Sequence, residues 1–382
     1  MDFDFSAEQK QLKDQVRRFL ADRCDRVAVR AVLDGAQSFD SALWHSLAEL
    51  GYLGAAIPER YGGIGAGYLE ACVIAEELGR AVAPVPFASA ISMAAECLLL
   101  AGSEAQKLRW LPRLASGEAI GTVAVAEGPG RLADGRVTTT LRRAAAGDVT
   151  LSGRKTPVLD GDIADFAVVL AREEGVEAGL SLVLVELAGS GVVRSNVPTL
   201  DPTRSQAEIV FTGAHGEPMG ASGAGRALLE RVFDRAAVLV AFEQLGGADR
   251  ALEMGRDYAQ ERFAFGRPIG TQQAVKHMLA DMYVSATLAR SNAYYGAWAL
   301  SAGSAELPQA AATARVSATQ AYQHCARNNI QVHGGMGFTW EFDCHLHYRR
   351  ANLLALMLGS LSEWEDRLVE RLVAARVAPA AV

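Results

Sequence analysis

The chain has 382 residues, of which 50% are hydrophobic and 21% charged, and its formal net charge at pH 7 is −7. This length predicts two or three packed units, while the negative charge and the dispersed basic residues argue against nucleic-acid binding. No uninterrupted apolar run approaches the roughly 20 residues of a membrane span, and the acidic start lacks a signal-peptide pattern. The five cysteines are scattered without a CxxC pair, as is typical of thiols in a reducing cytoplasm, where we expect the protein to act.

Helical patterns dominate the first region, residues 1–118, which we expect to form an N-terminal helical domain. Ser6 followed by Gln9 predicts a capping box, and Val16 and Leu20 share the apolar face of the helix that follows. Turn residues interrupt the helices at 58–63. Helical character resumes at 71–78 and again at 91–100.

Short β-branched runs mark the second region, residues 119–218, which we expect to form an antiparallel β domain. Gly, Pro and Asp separate these runs. No strand is followed by a GxGxxG loop, which argues against a Rossmann domain. The runs lie at 121–125, 137–140, 166–170, 181–185 and 208–211.

Amphipathic helical patterns return in the third region, residues 219–382. They cover 225–258, 272–302 and 309–332 with short connections, which predicts a C-terminal four-helix bundle. The expected fold class is therefore mostly α with a central β unit.

One segment, Tyr258–Gln273, breaks the long helical pattern at Gly266-Arg267-Pro268, and a new helix is expected near Thr271. An arginine such as Arg262 at the end of one helix, with free N–H groups at the start of the next, suits a diphosphate. The same pattern is also consistent with a plain helix–turn–helix corner and a solvated arginine.

A second segment, 331–341, places three glycines in four residues after a helix. Backbone without side chains lets a cofactor approach closely. A glycine C-cap followed by a turn is the alternative interpretation.

Together these segments resemble the acyl-CoA dehydrogenase family, whose patterns are Arg-x-x-Phe-Gly followed by Gln, and Gln-x-x-Gly-Gly-x-Gly-Phe. The stretches Gly51–Gly54, Pro58–Gly65 and Glu76–Gly79 match as well, as does the helical–β–helical order. The resemblance covers nearly the whole chain. It implies FAD as the cofactor and the fold of that family.

The resemblance also implies roles for individual residues. Arg262, Phe265 and Gln273 would contact the FAD of a neighbouring subunit, with Arg262 on its diphosphate. Gln331 and the backbone around Gly334 and Gly335 would hold the adenosine half.

The implied reaction is oxidation of an acyl-CoA thioester to the trans-2-enoyl-CoA. A carboxylate removes the α-proton, a hydride leaves for the flavin, and hydrogen bonds stabilise the enolate. The family's usual electron acceptor is an electron-transferring flavoprotein. Because FAD lies across a subunit interface in this family, a homo- or heterotetramer is implied.

The sequence departs from the family at the catalytic base. Many members have a glutamate before a glycine after an Arg-Asp pair, but this chain has Arg349-Arg350 and then Leu358-Gly359. Another branch, resembling isovaleryl-CoA dehydrogenase, keeps its glutamate at the position that corresponds to Ala236. Neither leucine nor alanine can accept a proton.

Two carboxylates near Ala236 are candidate replacements. Glu243 follows one heptad later on the same helical face, inside an apolar run where burial would favour a base. Asp234 flanks the other side. Their structural alternatives are a partner of a buried arginine or helix end for Glu243, and an exposed helix position for Asp234.

The β region departs as well, because Ala126 stands where the family has a threonine that bonds the flavin ring. In a later stretch Lys155-Thr156-Pro157-Val158 replaces an aromatic–Ile–Thr/Ser pattern. Backbone groups can replace such contacts, so FAD remains expected. The histidines at 333, 345 and 347 lack metal-site spacing, and no metal is expected.

Three functions fit these observations. The first is an FAD-dependent acyl-CoA dehydrogenase with a relocated base. The segments 338–341 and 346–351 look like those of bacterial members that process bulky acids such as steroid side chains. The second is a non-catalytic or half-site subunit that completes its partner's FAD pocket in a heteromer. The third is a flavin oxidase or nitroalkane-type enzyme on the same fold.

Overall fold

The structure is a computed structural model that describes residues 5–132, 134–143, 149–176 and 179–377. None of the helices in this described part of the chain combines the length and hydrophobicity that a membrane span requires. The α-helices are, in chain order, α1 (Ala7–Arg23), α2 (Arg26–Leu33), α3 (Ser41–Glu49), α4 (Tyr68–Ala81), α5 (Glu96–Ala101), α6 (Glu104–Ala115), α7 (Gly225–Glu261), α8 (Gln273–Ser301), α9 (Leu307–His333), α10 (Cys344–Leu356) and α11 (Leu361–Val377).

The first helix begins where the sequence predicted. The Ser6 hydroxyl accepts a hydrogen bond from the Gln9 N–H at 3.2 Å, and the Gln9 side chain accepts one from the Ser6 N–H at 2.9 Å. This capping box satisfies two backbone donors at the start of α1. Val16 and Leu20 are buried, as their shared face predicted.

The chain's contacts divide it into two compact units, each assembled from non-consecutive segments. One unit contains residues 1–29, 68–83 and 237–382, and the other contains residues 30–67 and 84–236. The boundaries proposed at residues 118 and 218 stay predictions.

The second unit contains a mixed β-sheet. Its strands are β1 (Gly121–Ala124), β2 (Thr140–Arg143), β3 (Val149–Leu159), β4 (Phe166–Glu173), β5 (Leu180–Glu186), β6 (Val192–Asn196) and β7 (Gln206–Met219). Most pairings are antiparallel, as predicted, but β4 pairs in parallel with β1 and β2. These two parallel pairings join strands far apart in sequence, so turn signals alone did not indicate them. A π-helix, Ala88–Ala95, precedes α5 in the same unit.

The first unit contains the predicted helical bundle, in which α9 packs against α8, α10 and α11. Helices α4 and α7 cross at a very short distance. A Cβ on Gly79 would lie 1.8 Å from the Glu243 carbonyl oxygen. A Cβ on Gly246 would lie 1.8 Å from the Glu76 carbonyl oxygen. The family-like Glu76–Gly79 stretch therefore has a packing role, because only glycine allows this backbone contact.

Ion pairs between buried carboxylates and partly exposed cations join α1, α4 and α8 within this unit. Glu76 pairs with Lys13 at 2.7 Å and with Arg290 at 2.9 Å. Burial alone would raise the pKa of Glu76, but these two cations lower it below its ordinary value. Arg17 and Glu77 form a second pair at 2.7 Å.

Candidate functional site

The segment after α7 forms a short β-hairpin rather than a direct turn into the next helix. Strands β8 (Phe263–Ala264) and β9 (Arg267–Pro268) flank Phe265 and Gly266, whose φ angles of 54° and 77° are those of a type I′ turn. Helix α8 then starts at Gln273, two residues later than expected. Phe265 is 97% exposed and strained by its positive φ, a combination that points to a contact outside its own chain.

Arg262 and Gln273 are both exposed next to this hairpin. The Arg262 N–H donates to the Tyr258 carbonyl at 2.8 Å, and its own carbonyl accepts from the Ile269 N–H at 2.8 Å. Its backbone is therefore fixed, while its guanidinium has no hydrogen-bond or ion-pair partner among the described residues. An exposed guanidinium on a fixed backbone, in the segment that leads to α8, suits an anionic group.

The glycine loop begins where α9 ends, at His333. Gly334 has a φ of 58°, and a Cβ on Gly334 or Gly335 would meet no atom within 4 Å. Gln331 is exposed on the last turn of α9. Gly337 differs, because a Cβ there would lie 2.5 Å from the Ile330 carbonyl oxygen. The backbone at Gly334 and Gly335 is therefore open to a close approach from outside the chain.

Aromatic stacking joins the two segments. The Tyr258 and His333 rings are stacked with centroids 4.1 Å apart, and Phe342 approaches both rings edge-on. The six residues predicted to contact FAD thus lie on segments that touch each other, and all six are exposed. We call residues 258–273 and 331–342 the nucleotide corner.

Glu243, the first candidate base, lies in a buried ion pair. Its Oε1 accepts from Arg350 Nη1 at 3.2 Å, and the two side chains are 4% and 0% exposed. Arg350 also donates to the carbonyls of Ala83 and Val82 at 3.4 and 3.5 Å. The structural alternative for Glu243, a partner of a buried arginine, is the arrangement observed.

A second buried guanidinium lies near this pair. Arg315 donates to Gln244 Oε1 at 2.7 Å and to the Leu354 carbonyl. Burial lowers the pKa of Arg315 to about 9, and the nearby charge of Glu243 opposes that shift. Glu243 is therefore the carboxylate that compensates buried positive charge in the bundle. We call Glu243, Gln244, Arg315 and Arg350 the core polar cluster.

The expectation that Asp234 lies on an exposed helix face is wrong, because its side chain is 5% exposed and has an interaction partner. Asp234 lies just before residues 236–248 of α7, which are buried on every face. Along that stretch, helical periodicity cannot separate inside from outside.

The two family positions for the base hold buried apolar side chains. Ala236 is 0% and Leu358 1% exposed. The Leu358 carbonyl accepts from Trp364 Nε1 at 3.1 Å. Glu363 is close in sequence, but its Oε2 accepts from the Ser360 N–H at 2.6 Å and caps α11.

In the β unit, Ala126 has no hydroxyl of its own, and the adjacent Glu127 is held by an ion pair and hydrogen bonds. Glu127 accepts from Lys155 Nζ at 2.7 Å and from the Thr138 N–H at 2.7 Å, and Lys155 also donates to the Val125 carbonyl. Burial alone would raise the pKa of Glu127, but these bonds lower it to about 2. Val158 is buried and offers no polar group.

The three C-terminal histidines have separate surroundings. His333 stacks on Tyr258, His345 stacks on Trp340, and His347 Nδ1 lies 3.1 Å from the Tyr322 hydroxyl. Within the described ranges, no group of three or more His, Cys, Asp or Glu side chains is arranged to hold a metal ion.

Comparison with known proteins decides the family. Residues 6–118 match the model for the acyl-CoA dehydrogenase N-terminal domain, and residues 223–372 match that for the acyl-CoA dehydrogenase C-terminal domain. Acyl-CoA dehydrogenase IpdE2 of Mycobacterium tuberculosis is 33% identical over 94% of this chain and 96% of its own. The chain belongs to the acyl-CoA dehydrogenase family.

Solved structures agree with this assignment. A variant of the Tcur3481–Tcur3483 steroid ACAD matches with a TM-score of 0.87 and 29% identity, over 97% of this chain and 99% of that chain. The ChsE4–ChsE5 complex of Mycobacterium tuberculosis matches with a TM-score of 0.88 and 27% identity over 100% of both chains. The predicted family and fold class are confirmed.

Acyl-CoA dehydrogenases are FAD-dependent oxidoreductases, and FAD is the cofactor expected from the sequence. The nucleotide corner fits the phosphate and adenosine groups of FAD, because it offers an unpartnered guanidinium and open glycine backbone. FAD supplies the hydride acceptor when it is bound.

Two features of the site were missed at the level of sequence. The Tyr258–His333–Phe342 stack left no spacing signal, since its members belong to three different elements. Arg350 did carry a signal, because an arginine in place of the family's aspartate needs a new buried partner.

Proposed function

We propose that the chain is one subunit of a heteromeric, FAD-dependent acyl-CoA dehydrogenase, and that the base that removes the α-proton belongs to a different chain. In this account Arg262, Phe265 and Gln273 bind the diphosphate side of an FAD that lies across the interface. Gln331 and the backbone of Gly334 and Gly335 bind its adenosine half.

The observation that carries this proposal is the Glu243–Arg350 pair. A carboxylate bound to a buried guanidinium can take up a proton only by leaving that guanidinium without its countercharge. Ala236 and Leu358 leave both family positions without a titratable group, and Asp234 is buried with a partner of its own. A base on another chain explains why none of Glu243, Asp234, Ala236 and Leu358 is available as the base.

The comparisons support a heteromer and suggest a substrate class. Two of the matching structures are named for pairs of chains, Tcur3481–Tcur3483 and ChsE4–ChsE5, and the first is called a steroid ACAD. We therefore propose a bulky acyl-CoA thioester, such as a steroid-derived one, as the substrate. An electron-transferring flavoprotein is the proposed acceptor.

The test is anaerobic mixing of CoA thioesters with two preparations, the chain alone and the chain co-expressed with a family member that retains the glutamate. Straight-chain and polycyclic thioesters form the panel, and flavin absorbance is followed. We expect bleaching only in the co-expressed preparation, and faster bleaching with the polycyclic thioesters. Bleaching by the chain alone would contradict the proposal, and rapid reoxidation by oxygen would favour the oxidase alternative.

A further inference from the structure

Three aromatic rings connect the two halves of the nucleotide corner. Tyr258 lies in the last turn of α7, His333 is the last residue of α9, and Phe342 precedes α10. The Tyr258 and His333 rings are inclined by only 24°, whereas Phe342 meets Tyr258 at 86° with centroids 6.2 Å apart. These are the stacked and edge-on geometries that aromatic pairs prefer.

A hydrogen bond fixes the His333 ring of this stack. His333 is buried, and its Nδ1 lies 2.8 Å from the Asn329 carbonyl oxygen. Because a carbonyl oxygen only accepts, Nδ1 must carry the proton and donate. Burial lowers the pKa of His333, although the bond to Asn329 opposes that shift. The ring is therefore neutral near pH 7 and held in one orientation.

Both residues of the stacked pair lie close along the chain to predicted FAD contacts. Tyr258 is in the last turn of α7, and its backbone carbonyl accepts the Arg262 N–H at 2.8 Å. His333 immediately precedes Gly334, where the chain turns with a φ of 58°. The stack thus packs the end of α7, which leads to Arg262, against the end of α9, which leads to Gly334.

We propose that His333 is a positioning residue, whose ring holds Arg262 and the Gly334–Gly335 backbone at the separation that lets both bind one FAD. This inference rests on the proposed function of the nucleotide corner. The stack itself is made entirely within this chain. Its effect should fall on the ADP half of FAD and leave the flavin ring's surroundings unchanged.

The experiment measures affinity for FAD and for ADP by titration, with the protein in the assembly in which it purifies. The variants are His333→Leu, His333→Phe, Arg262→Ala and the double variant His333→Leu/Arg262→Ala. We expect His333→Leu to weaken both nucleotides by about five- to tenfold, while His333→Phe retains the stack and most of the affinity. In the double variant, the leucine should add less than about a twofold loss to that of Arg262→Ala.

Each contrary result has a distinct meaning. Independent, multiplicative losses in the double variant would overturn the positioning role, since a purely structural defect adds to the loss of Arg262. A loss for FAD without one for ADP, or lower thermal stability with unchanged affinity, would overturn it too. Wild-type affinity in Arg262→Ala, or no nucleotide binding by the wild type, would instead remove the proposed function on which the inference rests.

Discussion

The nucleotide corner and the core polar cluster lie in the same compact unit, but they differ in how their polar groups are used. In the corner, Arg262 is exposed and its guanidinium lacks a partner among the described residues. In the cluster, Glu243 is buried against Arg350, and Arg315 is bonded to Gln244 and a carbonyl. The guanidinium of Arg262 is therefore available to a ligand, whereas the charges of Glu243 and Arg350 compensate each other.

The comparison shows why burial alone is a weak sign of catalysis. Glu243 lies in the kind of apolar environment that can create a general base. The same environment requires any buried arginine to have a countercharge. Because Arg350 is buried next to Glu243, the carboxylate serves as its countercharge. The core polar cluster, which was predicted to hold the base, is therefore less suited to proton transfer than the nucleotide corner is to ligand binding.

The largest expected effect comes from removing the carboxylate of the cluster. Glu243→Gln should lower the free energy of unfolding by about 3–5 kcal/mol, because Arg350 is left buried without a countercharge. Denaturant titration measures the loss. The matched control is Glu243→Met with Arg350→Met, which removes both charges of the pair and should recover part of the stability, since buried Arg315 also loses the nearby charge of Glu243. Wild-type stability in Glu243→Gln would contradict a structural role and reopen the catalytic one.

Arg262→Ala should weaken FAD binding by about ten- to a hundredfold, since a charge-assisted hydrogen bond to a phosphate is lost. Stability should not change, because the side chain is exposed. Arg18→Ala, which removes an exposed arginine from α1, controls for net charge. Flavin retention after desalting reports the result, and equal retention in the two variants would remove the diphosphate role.

Two glycine substitutions should have opposite effects on stability and on FAD binding. Gly79→Ala should cost about 1–3 kcal/mol of stability, because the new Cβ would meet the Glu243 carbonyl oxygen at 1.8 Å. Gly335→Ala meets no atom within 4 Å, so it should retain stability but weaken FAD binding about threefold or more. Thermal melts and FAD titrations distinguish the two, and a stability loss in Gly335→Ala would show that its open space matters to the fold.

The smallest effect concerns the β unit and depends on pH. The pKa of Glu127 lies at about 2, below its ordinary value of about 4.3. Its bonds therefore stabilise the fold fully at pH values above its ordinary pKa. The contribution is lost as the pH falls towards 2. Glu127→Gln should therefore be less stable by about 1–2 kcal/mol at pH 7, with the deficit shrinking below pH 4. A deficit that stays constant between pH 7 and pH 3 would contradict the assigned ion pair.

Local chemistry predicted several elements well. The Ser6–Gln9 capping box gave the start of α1, and the long amphipathic patterns gave α7, α8 and α9 to within a few residues. Strands β3 and β6 were missed. The exposed, polar residues of β6 and the Gly153 and Pro157 interruptions in β3 weaken the alternation that predicts strands.

The predicted FAD contacts were found on adjacent segments because glycine and arginine motifs carry local signals. The ion pair of Glu243 could not be found in that way, since its partner Arg350 lies 107 residues away. The expected exposure of Asp234 was wrong as well, since it is buried although Glu230 and Arg231 on the same part of α7 are exposed. Whether a carboxylate such as Glu243 is available as a base therefore depends on contacts between segments that are distant in the sequence.

The most direct measurement uses the assembled enzyme with the double change Glu243→Met and Arg350→Met. After equal flavin content has been verified, the preparation is mixed anaerobically with the thioester that bleaches the wild-type flavin best. We expect bleaching at a rate within about threefold of wild type if, as proposed, the base lies on another chain. Full flavin content with no bleaching would contradict it and return Glu243 to the reaction.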